Sequence, residues 1–141
     1  MKSVLEYLEN VKTNNLIIDK NGSINYQELK EMSKRIGSGL AKFVKNNDPV
    51  PIYMEKGINA LISFFGTIYA GGFYCLLNPE LPKIRLEKIL DKLDSNIIIT
   101  DEMHIEIAKE VCENKKILEI EELKNEKINE EKLEEIRKQA L

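Results

Sequence analysis

The sequence predicts an α/β fold: a mainly parallel sheet with helices on both faces, plus an N-terminal β-hairpin. Three observations carry that prediction. Short apolar runs near residues 50–54, 73–77, 96–100 and 116–120 alternate with segments of helical period, the pattern of a helix-covered parallel sheet. One intervening helix, INALISFFGTIYA, is apolar on nearly every side, as a helix between two buried strands would be. Leu16-Ile17-Ile18 and Ile24 flank Asn21-Gly22, a dipeptide that accepts the positive φ angles of a tight hairpin turn.

Composition narrows the classes of function. The 141 residues are enough for one domain with a core. With 43% hydrophobic and 32% charged residues the chain reads as globular rather than disordered. A net charge of −3 lacks the basic footprint of a nucleic-acid or anionic-membrane binder. The opening MKSVLEYLEN carries acids early and has no apolar segment of a signal peptide. The apolar helix is about 13 residues long, too short for a bilayer. Cys75 and Cys112 read as reduced core thiols, so a cytoplasmic location is expected. Heavy use of Lys, Ile, Asn and Glu suggests an AT-rich bacterial genome.

In chain order, Ser3 and Glu6 fit a capping box, so a helix is predicted from Ser3 to about Thr13 with Val4, Leu5, Leu8 and Val11 on one face. After the hairpin, Asn25 and Glu28 fit a second capping box. The helix behind it places Leu29, Met32, Ile36, Leu40 and Phe43 on one stripe. Gly37-Ser38-Gly39 follows no strand and opens no helix, so it reads as close helix packing rather than a phosphate loop. Pro51 to Met54 is a strand with its prolines at the start. Phe64, Phe65 and Tyr69 of the apolar helix are core residues.

Gly71-Gly72 ends that helix, with a positive φ as the physical reason. Tyr74 to Leu77 is then a buried strand and Asn78-Pro79 a turn at its C-terminal end, where open α/β sheets gather ligands. Pro82 suits the first position of a helix, whose apolar face is Leu86, Ile89, Leu90 and Leu93 and whose solvated face includes Arg85. Asn96 to Thr100 is a buried strand, and Asp101 can cap the next helix. His104 is the only histidine; no acid or serine is spaced around it as a triad would need, and one histidine cannot build a zinc site. From Glu121 the chain is dominated by charge, with Leu123, Ile128, Leu133 and Ile136 as a thin apolar set.

Several of these pieces occur in a recognisable order. Tyr69-Ala70-Gly71-Gly72-Phe73-Tyr74, Leu77-Asn78-Pro79, Pro82 with Arg85-Leu86, and Ile97-Ile98-Ile99-Thr100 follow one another. Amino-acid-activating domains of nonribosomal peptide synthetases run Lys-Ala-Gly-x-Ala-Tyr, a strand into Pro-Leu-Asp-Pro, Pro-x-x-Arg-Leu, and a strand ending in Thr. Asn25-Tyr26-Gln27-Glu28-Leu29 is similar to their Thr-Tyr-x-Glu-Leu. From about Asn15 to Glu110 the chain therefore resembles the N-terminal part of an adenylate-forming (AMP-binding) enzyme. That superfamily also holds D-alanine–carrier protein ligases, acyl-CoA synthetases and luciferases. Asn78 stands where amino-acid-activating domains have Asp, as in many acyl-CoA synthetases, whereas Arg85-Leu86 leans to the amino-acid branch.

The resemblance implies a partial N-terminal subdomain over residues 1–120, with residues 121–141 a charged peripheral helix or linker leading toward an ATP-binding loop. The parent would use ATP and Mg²⁺ to activate a carboxylate as its AMP ester. It would pass the acyl group to a thiol of a carrier protein or coenzyme A. Gly71, Gly72, Asn78, Pro79, Pro82 and Arg85 are then structural motif residues, and no catalytic, cofactor-binding or metal-binding residue is expected in this chain. The family's Thr-Ser-Gly-Ser-Thr-Gly-x-Pro-Lys-Gly loop has no counterpart in the sequence. Neither do its ribose-binding aspartate and C-terminal lysine. The chain is thus expected to be an inactive N-terminal fragment whose partner is the rest of its parent enzyme, with no nucleic acid or membrane among its partners. The alternative is a free-standing α/β module that binds a partner and catalyses nothing.

Overall fold

A computed structural model describes residues 2–11 and 15–139. Strands β1 (Leu16–Asp19) and β2 (Gly22–Asn25) form the expected antiparallel hairpin, with Ile17 opposite Ile24. Strands β3 (Pro49–Tyr53), β4 (Phe73–Leu77), β5 (Ile97–Thr100) and β6 (Lys116–Glu119) form a wholly parallel sheet in the order β4-β3-β5-β6.

The strand order dictates where the helices lie. From β3 the chain steps one way to β4, then back across β3 to β5 and on to β6. Right-handed crossovers in opposite directions place their helices on opposite faces. Helix α2 (Tyr26–Leu40) packs with α3 (Ile58–Tyr69) on one face; α4 (Lys83–Leu93) and α5 (Ile105–Val111) cover the other. Period-two alternation in β5 divides the core: Ile97 and Ile99 join the α2–α3 side, Ile98 the side of Leu86, Leu90, Ala108 and Cys112.

Helix α2 starts where its cap predicts. Asn25 Oδ1 accepts from Glu28 N at 2.8 Å, and Glu28 Oε1 accepts from Asn25 N at 3.2 Å. The helix stops at Leu40, so Phe43 falls in the following turn and is exposed rather than on the buried stripe. Gly37 lies against α3: a Cβ there would meet Tyr69 Cβ at 2.7 Å. Helix α1 (Lys2–Asn10) contains Ser3, which is therefore not its cap; Thr13, the predicted end, is outside the described residues.

Four further details depart from the sequence reading. Strand β4 is an edge, and Phe73, Tyr74 and Leu76 are 50%, 44% and 40% exposed. Its apolar run predicts a buried strand, but a run cannot show which strand lies outermost. Strand β3 starts at Pro49, so Pro51 lies in its middle rather than at its start; β5 overlaps β3 only at Ile52 and Tyr53, beyond both prolines, so neither missing N–H falls within that ladder. In α3, Tyr69 is fully buried, whereas Phe64 and Phe65 are half-buried at its outer margin. The charged segment after β6 forms two helices, α6 (Ile120–Leu123) and α7 (Glu130–Gln139), and Ile120, Leu123 and Leu133 enter the main core.

Candidate functional site

In an open parallel sheet, the ends of two strands whose connections leave in opposite directions cannot be bridged by one loop, and a crevice opens there. Here that point lies between the C-terminal ends of β3 and β5. A cleft of about 400 Å³ occupies it, walled by Glu55, Lys56 and Gly57 after β3, by Asp101, Met103 and His104 after β5, and by the hairpin.

Two groups of contacts organise the cleft. Asp101 follows β5, and its Oδ1 accepts the backbone N–H of His104 at 3.0 Å while lying 2.6 Å from His104 Nδ1. That contact assigns the ring proton to Nδ1 in the neutral imidazole. The ring is buried and meets Tyr53 edge-on, with centroids 5.7 Å apart. Thr100 Oγ1 donates to Tyr53 O at 2.8 Å and ties the two strand ends together. The acid partner of His104, not anticipated from spacing, thus comes from three residues upstream. Asp101 acts in the turn before the helix, and His104 itself occupies the cap position of α5.

The second group comes from the hairpin. Asp19 Oδ1 accepts from Asn21 N at 2.7 Å, and Oδ2 accepts from Ile58 N at 2.8 Å. A carboxylate thus sits on the positive end of α3. The bonds from Ile58 and then Asn21 hold the Asp19 carboxyl below its ordinary pKa. Gly57 lets this approach occur: a Cβ there would lie 2.8 Å from Asp19 Oδ2. Lys20 pairs with Glu55 at 2.8 Å across the same junction, which lowers the Glu55 pKa and raises that of Lys20.

These contacts decide what the cleft can hold. The α3 N-terminus, the natural anion site of a β-α-β unit, has its Ile58 N–H engaged by Asp19. The cleft is also lined by Lys20, Lys56 and Lys124, of which Lys20 pairs with Glu55 and Lys124 with Glu121; no glycine-rich turn gathers several convergent N–H groups beside them, as a phosphate loop does. Among the described residues there is no group of three or more His, Cys, Asp or Glu side chains that could hold a metal ion.

The motif residues lie elsewhere, one strand away from the crevice. Gly71 has φ +83°, the left-handed value predicted, and its N–H donates to Ile68 O at 3.0 Å. Gly72 runs beside β3, where a Cβ would meet Asp48 O at 2.9 Å. Asn78 Oδ1 accepts from Glu80 N at 2.9 Å and Asn78 O from Leu81 N at 3.0 Å, so Asn78-Pro79 opens a self-contained turn. Pro82 stands at the cap of α4, one residue before its first turn, and Arg85 is exposed on that helix. Burial raises the pKa of both Cys75 and Cys112, which makes them poor nucleophiles.

Comparison with known proteins supplies the family. A model of the family described as "AMP-binding enzyme" matches residues 7–140. The nonribosomal peptide synthetase ftmPS of Neosartorya fischeri is 36% identical over 103 residues, which is 72% of this chain and 4% of that protein. The synthetase notE of an Aspergillus species is 40% identical over 80 residues, 56% of this chain and 4% of that protein. Among solved structures, ATP-bound MatB from Rhodopseudomonas palustris superposes with a TM-score of 0.75 at 19% identity, over 89% of this chain and 28% of that one. VinN with L-aspartate gives a TM-score of 0.75 at 20% identity, over 98% of this chain and 38% of that one. These two likenesses establish the shared fold. The two synthetases named are fungal, which lends no support to the bacterial source suggested by composition. Because the family's model extends over nearly the whole sequence, in the order its motifs predict, the chain belongs to the AMP-binding enzyme family as an N-terminal part of an adenylate-forming enzyme.

Proposed function

We propose that this chain is the N-terminal scaffold of an ATP-dependent ligase that activates a carboxylate. In the parent reaction a carboxylate oxygen attacks the α-phosphorus of ATP, pyrophosphate leaves, and an acyl-adenylate forms. A thiolate then attacks the acyl carbon and AMP leaves. Mg²⁺ accompanies the ATP, and the thiol belongs to a carrier protein or to coenzyme A. The carrying observation is the family match over residues 7–140. The synthetase relatives favour an amino acid as the carboxylate and a carrier protein as the acceptor.

Within that enzyme the chain itself catalyses nothing. It contributes a rigid parallel sheet, clamped by the α2–α3 pair, on which the residues that bind ATP can be positioned. We infer that it acts in the cytoplasm, a reading supported by the two free thiols of Cys75 and Cys112. Among the described residues no helix is long and apolar enough to cross a membrane.

The test is amino-acid-dependent exchange of pyrophosphate into ATP, run with the full-length parent enzyme. Exchange with one or a few amino acids is the expected result. No exchange with any amino or acyl acid, in a folded parent, would instead favour a partner-binding module.

A further inference from the structure

The cleft between the ends of β3 and β5 contains a buried ring nitrogen that no described residue satisfies. His104 is 9% exposed, and its ring is one wall of the cleft. Most of that ring is already engaged. Nδ1 is held by Asp101 Oδ1 at 2.6 Å, and Tyr53 meets the ring edge-on. Nε2 has no hydrogen-bond partner among the described residues. Because Asp101 fixes the proton on Nδ1, Nε2 carries a lone pair and accepts. A carboxylate behind an imidazole also makes the far nitrogen a stronger acceptor.

The rest of the lining says what kind of donor suits Nε2. Core residues Ile24 and Ile62 and the thioethers of Met32 and Met103 also line the cleft. Such a surface takes an apolar body, and methionine sulfur favours an aromatic ring. A cationic donor is disfavoured. Lys56, unlike Lys20 and Lys124, has no ion pair among the described residues, so an entering ammonium would meet its charge. The carboxylates of Asp19 and Asp101 are engaged by N–H groups of the chain itself. A phenolic hydroxyl is neutral, donates well and is carried on a ring. The cleft volume of about 400 Å³ leaves space for one substituted ring.

We propose that this cleft binds a small phenol, whose hydroxyl donates to His104 Nε2 and whose ring lies against Met32, Ile62 and Met103. Such a ligand needs no carboxylate, so it is not a substrate to be activated. The inference therefore stands or falls separately from the ligase reading.

Titration of the 141-residue chain with phenol, anisole and cyclohexanol, followed by NMR, tests it. Phenol should bind in the roughly millimolar range, as suits so small a ligand. It should shift the Ile24 and Ile62 signals and move the His104 Nε2 resonance while Nδ1 stays nearly in place. Anisole keeps the ring without the hydroxyl proton, and cyclohexanol keeps the proton without the aromatic ring. Each should bind about tenfold more weakly than phenol. His104→Phe keeps a ring beside Tyr53 but removes the acceptor, and it should bind phenol and anisole alike. Should that variant unfold, the three-ligand comparison and the Nε2 shift in the native chain decide the matter. Absence of saturable phenol binding would overturn the inference, as would an Nε2 resonance that does not move. Anisole or cyclohexanol binding as tightly as phenol would overturn it too, as would a phenol preference that survives in folded His104→Phe.

Discussion

The carboxylate of Asp19 caps helix α3 from 39 residues away, accepting the N–H of Ile58 at 2.8 Å. A helix beginning at Gly57 has no side-chain cap of its own, and an N-terminal N–H left without a partner is costly. The hairpin supplies the missing acceptor, and the same bond anchors the hairpin to the sheet's C-terminal end.

Asp19→Ala should therefore lower the urea midpoint and speed exchange of the Ile58 amide. Because folding holds the Asp19 pKa below its ordinary value, its contribution is fully present above about pH 3.9 and fades as pH falls through the lower folded value. The gap between wild type and Asp19→Ala in urea midpoint should accordingly be wide at pH 7 and close progressively below about pH 4. A gap that stays constant with pH would mean the carboxylate charge plays no part.

Gly66→Ala should loosen the α2–α3 pair. A Cβ at Gly66 would sit 2.5 Å from Ile36 Cγ2 and 3.2 Å from Ser33 O. Both neighbours are themselves buried. The gain in helix propensity, about 1 kcal/mol, is outweighed by overpacking, leaving a net loss of about 1–2 kcal/mol. Chemical denaturation measures it; a variant as stable as wild type would show that the two helices can separate slightly without cost.

Asp101→Ala should destabilise by about 1–3 kcal/mol, because it leaves the His104 backbone N–H and the Nδ1 proton without their acceptor. Asp101→Asn, which keeps an acceptor oxygen, should recover part of the loss. Equal losses in the two variants, measured by urea titration at pH 7, would show that charge rather than hydrogen bonding holds the turn.

Calorimetry of the 141-residue chain with Mg-ATP should show no binding. Gly37 and Gly39 lie inside α2, Gly71 and Gly72 at the end of α3, and the α3 N-terminus is engaged by Asp19. None of these presents the convergent N–H groups that hold phosphates. Micromolar affinity would place a nucleotide site within this chain.

What could be read from the residues was local. Asn25 and Glu28 announce the start of α2 because a capping box is completed within one turn. Asn21-Gly22 announces the hairpin because its turn needs only two residues. Leu86 and Leu90, one turn apart, declare the buried face of α4. The ordered motifs from Tyr69 to Thr100 declared the family. The parallel sheet itself was legible because apolar runs separated by helical segments can be joined in few other ways.

The tertiary structure decided everything that depends on which segments become neighbours. The sequence Phe73–Leu77 is as apolar as Ile97–Thr100, yet the first is an exposed edge and the second a buried strand. The difference is strand order, to which no residue within either segment responds. Asp19 and Ile58 meet only because the hairpin folds back onto the end of the sheet. Leu133, in a segment that reads as a charged peripheral helix or linker, is buried in the main core because α7 packs on the α2–α3 pair. By itself the sequence determined the elements, the buried faces of most of them and the family. The edge, the long-range cap and the cleft arose only when crossover direction and helix packing brought distant segments into contact, because those contacts lie beyond the reach of any local periodicity.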